Sequence, residues 1–125
     1  MHICGRRDIC SLIKLHMISF ALISQENMRK LVEFADGIGS APIVRFDPSV
    51  NRALTYAIGY GLIKRQQNAK YKLTDRGKQL AEQIKVVGDL MVIEIGDLNL
   101  LAKKLTESKV EEIVDRWRIK DAENQ

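Results

Sequence analysis

Four cations stand close together in one short stretch: Lys64, Arg65, Lys70 and Lys72. Lys70 and Lys72 alternate with Tyr71 and Leu73, so in an extended strand the ammonium groups share one face and the apolar side chains the other. Such groups neutralise anions. The same sign is concentrated around them. Residues 41–85 hold nine basic residues (Arg45, Arg52, Lys64, Arg65, Lys70, Lys72, Arg76, Lys78, Lys85) against three acids (Asp47, Asp75, Glu82), whereas the remainder holds eleven against thirteen. A net charge of +4 over 125 residues decides little, but its clustering marks where a polyanion would be met. The competing reading is a solvated basic face that serves only solubility.

Other chemistry finds little support. The chain carries no P-loop, no HExxH and no nucleophile elbow. Gly37-Ile38-Gly39 and Gly59-Tyr60-Gly61 are bare triplets, and neither follows a clear strand into a helix. His2, Cys4, Cys10 and His16 are four side chains of zinc-ligand type, but their spacing matches no ordinary knuckle and Cys10 falls in an apolar run. A buried free thiol is the simpler reading. Two thiols so near the N-terminus would also staple little as a disulfide. The expectation is a binding module with no catalytic residue, no metal and no cofactor.

The elements that would position the cations follow from periodicity and caps. One domain is expected at this length, with enough apolar residues (46%) to bury a core. Within it, residues 1–86 read as the main unit and 87–125 as a helical assembly segment. Ile9–Ile23 is apolar behind Arg6 and Arg7, a superficial likeness to a signal peptide. Lys14 and His16 interrupt it, no small-x-small site follows, and it falls short of the ~20 apolar residues of a span. It is expected to be a buried first helix in a cytoplasmic protein with no membrane partner. Ser24 caps a helix over Gln25–Asp36, with Met28, Leu31, Val32 and Ala35 on one face. Ala41–Phe46 is expected to be extended. Asp47-Pro48, a capping carboxylate followed by proline, opens a helix through Tyr60, and Gly61 suits its left-handed end. Val50, Leu54, Ala57 and Ile58 form the inner face of that helix. Arg52, Thr55, Tyr56 and Gly59 form the outer one, with Asn51 and Tyr60 at its flanks. Strands at Leu62–Arg65 and Lys70–Leu73 flank a turn at Gln66–Ala69. Thr74 caps a further helix from Asp75, in which Gly77 allows close packing and Leu80 and Ile84 face inward.

This order resembles the winged-helix family. In many of its members a helix ends in Gly-Leu-Ile, a basic hairpin follows, and the next helix opens with Leu-Thr-x-x-Gly. The matching residues are Gly61, Leu62, Ile63, Leu73, Thr74 and Gly77. The likeness covers about residues 48–85 and implies a mainly α fold with a small antiparallel β-hairpin. It further implies a regulator-like protein that binds double-stranded DNA. The helix Pro48–Tyr60 would enter the major groove, where Asn51, Arg52, Thr55 and Tyr56 would meet bases. The wing would set Lys64, Arg65, Lys70 and Lys72 near phosphates. The phrase Ala41–Ile63 is also similar to small winged-helix middle components of bacterial three-component ABC-ATPase systems. That likeness implies a non-enzymatic adaptor to a larger ATPase assembly, in DNA maintenance or phage defence. Tyr56 and Tyr60 beside Gly59 suit a protein surface as well as a groove, or simple core or rim packing.

The last third points to assembly. Leu90–Ile95 is apolar almost all round and is expected to be buried on several sides. Leu98, Leu101 and Leu105 continue a stripe. Ser108 with Glu111 makes a capping box for a last helix, whose Val110, Ile113, Val114 and Trp117 fall on one face. Intramolecular packing is the default for such stripes. Their surplus over the core of a small domain points instead to a homodimer seam.

Overall fold

The computed structural model describes residues 1–39, 47–87 and 92–123, with side chains described as far as Arg116 in the last helix. The elements are β1 (Ile9–Ser11), α1 (Leu12–Ile23), α2 (Gln25–Ala35), α3 (Pro48–Gly59), β2 (Ile63–Gln66), β3 (Lys70–Leu73), α4 (Asp75–Val87), α5 (Val92–Ala102) and α6 (Glu107–Glu123). The sheet is antiparallel in the order β1-β3-β2. The chain is therefore mainly helical with a small antiparallel sheet, compatible with a winged-helix-like fold.

The core is built from both ends of the sequence. α1 and α2 contribute Met17, Ile18, Ala21, Met28, Leu31 and Phe34, and the C-terminal region closes over them with Leu101, Leu105, Val110 and Ile113. Leu98 and Val114 pack against this cluster half-buried. Four of the residues expected at a dimer seam are thus buried within one chain. The reason is geometric. α1 and α2, packed on each other, present an apolar face that needs a second layer, and residues of α5 and α6 and the turn between them supply it. Trp117 lies in α6 beyond the described side chains. Leu101, Leu105, Val110 and Ile113 thus share one buried cluster with α1 and α2.

Several local expectations are corrected. Ile9–Ser11 does not open the first helix. It is a strand on the free edge of β3, pairing Ile9 with Lys72, Cys10 with Tyr71 and Ser11 with Lys70. An apolar run does not separate strand from helix by pattern alone, and Ser11 decides the boundary by accepting the Lys14 N–H as N-cap. β2 lies one residue later than expected. The last helix opens at Glu107, where the Thr106 hydroxyl accepts the Lys109 N–H, so Ser108 is not the cap. Leu80 is exposed, as are Val92 and Ile93. α4 buries only Gly77 among its residues, and the start of α5 lies at the rim of the layer it covers. The expected extended segment Ala41–Phe46 lies outside the described residues, as do Leu90 and Met91 of the apolar stretch.

α4 is held close to the hairpin by a missing side chain. A Cβ at position 77 would sit 2.1 Å from the Leu62 carbonyl oxygen and 3.0 Å from a Leu73 methyl. Gly77→Ala should therefore destabilise the protein despite alanine's better helix propensity, by about 1–3 kcal/mol as an overpacking substitution. Urea unfolding measures this. A neutral or stabilising result would show that α4 is free to move away from the hairpin.

Candidate nucleic-acid interface

α3 is placed by its first residue. The Asp47 carboxylate accepts from the Ser49 amide at 2.9 Å and from the Ser49 hydroxyl at 2.7 Å. These hydrogen bonds hold its carboxyl below the usual range, with smaller help from Arg52. The Asp47 amide in turn donates to Nδ1 of His16 at 3.3 Å. His16 is buried on α1, so a core side chain sets where α3 begins. To accept there, the ring carries its proton on Nε2. Neither periodicity nor cap signals in the sequence point to this contact, which joins residues far apart in the chain.

Beyond that anchor α3 buries only Leu54. Val50 and Ala57 are half-buried, while Ile58, expected inside, is exposed. Asn51, Arg52, Thr55 and Tyr56 are all exposed, as the helical period requires. The Thr55 hydroxyl donates to the Asn51 carbonyl within the helix. Tyr56 and Tyr60 are 68% and 66% exposed, which excludes core packing for both within this chain.

The hairpin is locked to the end of α3. Gly61 takes φ +72°, a left-handed conformation open to glycine at no steric cost. The Leu62 amide then returns to the Ala57 carbonyl at 2.9 Å. Thr74 closes the other end: its hydroxyl donates to the Gly61 carbonyl, and its amide donates to the Leu62 carbonyl at 3.0 Å. The same hydroxyl accepts the Gly77 amide at 3.1 Å, starting α4. One threonine thus ties the end of α3, the base of the hairpin and the start of α4. At the tip, Asn68 and Ala69 both adopt positive φ (62° and 54°). Asparagine tolerates this conformation well, alanine poorly.

The register decides how the cations are presented. Lys64 pairs with Lys72, Gln66 with Lys70, and Arg65 with Tyr71. Directly paired residues point to the same side, so Lys64, Gln66, Lys70 and Lys72 share the outer face. Arg65 is on the other face, its guanidinium 5.8 Å from the centre of the Tyr71 ring. The structure therefore brings three of the four expected wing cations together, with the fourth behind them. Two lysines directly opposite each other repel, and cross-strand like charges are destabilising. Among the described residues the ion pairs lie elsewhere, as in Lys78–Asp8 and Lys104–Asp36. None includes Lys64, Lys70, Lys72 or Arg52. The sequence reading missed Arg6 and Arg7, which stand just before β1 beside this sheet. The signal was the basic pair itself, hidden by its likeness to the start of a leader.

No protein-family model, no curated protein and no solved structure matches this chain.

Two outcomes follow from this geometry. Lys72→Glu places an acid opposite Lys64 and replaces a repulsive pair with an attractive one. The hairpin should gain roughly 0.2–1 kcal/mol, read as a raised urea midpoint; a fall would contradict the register. The second concerns pH. Asp47 has a folded value below its unfolded one, so its capping contribution is complete above about pH 4, the unfolded range. It is lost as pH falls through the lower folded value. The Ser49 amide resonance should report a midpoint below that of an ordinary aspartate, and Asp47→Asn should abolish the titration. A midpoint at the ordinary value would remove the cap.

Proposed function

We propose that this protein is a non-catalytic winged-helix module that binds duplex nucleic acid, as a small regulator-like DNA-binding protein does. The observation that carries this reading is the facing pair Lys64 and Lys72 on an outer sheet face that also holds Lys70, with no carboxylate paired to any of them among the described residues. A fold that keeps like charges opposed gains from an anion supplied from outside. Phosphates spaced along a duplex backbone match such a row, and each neutralised phosphate releases condensed counterions. On this reading Lys64, Lys70 and Lys72 hold the backbone. Asn51, Arg52 and Thr55, exposed on α3, meet base edges, where arginine can grip guanine and asparagine adenine with two hydrogen bonds.

A second reading rests on a different observation. Tyr56 and Tyr60 expose two large rings on one helix end, a composition that favours protein interfaces. An adaptor subunit in a larger, ATPase-containing assembly would use α3 in this way, with the tyrosines as anchors and the lysines at the rim. A second copy of this chain is the other partner of this class.

A fluorescence titration with mixed-sequence duplex across a range of salt separates the two. For the DNA module, affinity falls steeply with salt. Lys64→Ala/Lys72→Ala lowers affinity for every sequence and flattens the slope by about one per lost contact. Arg52→Ala costs ~1–3 kcal/mol at particular base pairs only. Absence of binding at micromolar protein and low salt removes this reading. For the adaptor, Tyr56→Ala/Tyr60→Ala abolishes partner capture while the lysine substitutions leave it intact.

A further inference from the structure

We infer that the cleft between the N-terminal loop, β3 and the start of α6 is a phosphate-binding site. This is a second anion site and does not rest on the wing reading. The cleft is an open cavity of about 730 Å³ whose lining includes Arg6, Arg7, Lys14 and Lys70 against one carboxylate, Glu107. Arg6, Arg7 and Lys70 are exposed, and none of the four cations takes part in an ion pair among the described residues.

Lys14 carries the argument. It is 3% exposed, and its ammonium donates at 2.6 Å to the main-chain carbonyl of Cys4, a neutral acceptor. An ammonium has three donors, and a buried charge facing only a carbonyl is costly to the fold. The groups packed around it do not supply the counter-charge. Cys4 and Cys10 are free thiols whose pKa values are raised, chiefly by burial, so they stay neutral. The Glu107 carboxylate accepts the Ser11 amide at 3.0 Å and forms no ion pair with Lys14. A dianion entering the cleft would meet the buried ammonium, two guanidiniums with the fork geometry suited to phosphate, and the first turn of α6. There the first amides of the helix have no partner within it and look outward. Two sources offer this chemistry: a phosphate of a nucleic-acid chain, continuing from the wing through Lys70, or a free phosphorylated small molecule.

The test uses the full chain and inorganic pyrophosphate, titrated calorimetrically at constant ionic strength. Saturable binding is expected, weakened about tenfold or more in Arg6→Ala/Arg7→Ala, in which only exposed side chains change. It should be weakened likewise in Lys14→Met, and unchanged in Lys64→Ala/Lys72→Ala. Lys14→Met should also raise the melting temperature without phosphate, because it removes the unpaired buried charge. No saturable binding, or binding indifferent to both cleft variants, overturns the site. Displacement of pyrophosphate by a duplex lacking terminal phosphates assigns the cleft to a nucleic-acid backbone, and failure to displace it assigns it to a free phosphorylated molecule. The wing is read separately, from the duplex affinity of Lys64→Ala/Lys72→Ala, so either site can fail alone.

Discussion

The approach of Gly77 to the Leu62 carbonyl, with Thr74 bonded to both chain segments at that point, sets the geometry of the exposed half of this protein. Three elements meet there, with only the Thr74 hydroxyl and a Leu73 methyl close by. Gly61 turns the chain out of α3 in a conformation other residues adopt with strain, and Thr74 returns it into α4 using both its hydroxyl and its amide. The consequence is a geometry fixed by backbone contacts where burial is slight. α3 and α4 contribute only Leu54 and Gly77 to the buried set, so hydrogen bonds and close backbone packing must set the angle between helix and hairpin. Lysines presented from such a frame lose less freedom on meeting a ligand than lysines on a loose loop.

Charge has been arranged against stability in two places. Lys64 faces Lys72 across the hairpin, and Lys14 is buried against a carbonyl. Neither arrangement follows from the needs of the fold. A threonine or glutamate in the hairpin and a methionine in α1 would serve packing as well. Sites that break local rules without a gain in the folded state are where function is to be sought. The ordinary surface pairs, such as Arg29–Glu33 and Lys30–Glu26 on α2, show the usual alternative. They are exposed, one turn apart and worth little.

Much of the exposed half was legible in the sequence because its determinants are local. Asp47-Pro48, Gly61, Asn68, Thr74 and Gly77 each announce a boundary through the chemistry of one or two residues, and strand alternation placed Lys70 and Lys72 together. Contacts between distant residues were not legible. Ile9–Ser11 is a strand only because β3 offers an edge far along the chain. His16 matters because the Asp47 amide reaches it. The stripe Leu101, Leu105, Val110 and Ile113 was recognised as a buried face, yet periodicity does not say whether a face meets its own chain or another. The cap of α6 was misplaced by two residues because Thr106 and Ser108 both suit the position, and Ser108 has a glutamate three residues on. The cleft escaped notice because its cations come from three separate elements.

The uneven distribution of buried side chains has a kinetic side. The layer formed by α1, α2, α5 and α6 holds nearly all of the described core, whereas α3 and the hairpin rest on Leu54, Tyr71 and a few backbone hydrogen bonds. Free energies of local opening follow buried contact, so the amides of α3 and the hairpin are the ones to exchange with solvent through partial unfolding while the helical layer stays closed. Anything that clasps the hairpin adds its binding energy to that opening step. The half of the molecule least protected on its own is thus the half whose hydrogen exchange responds most to occupancy.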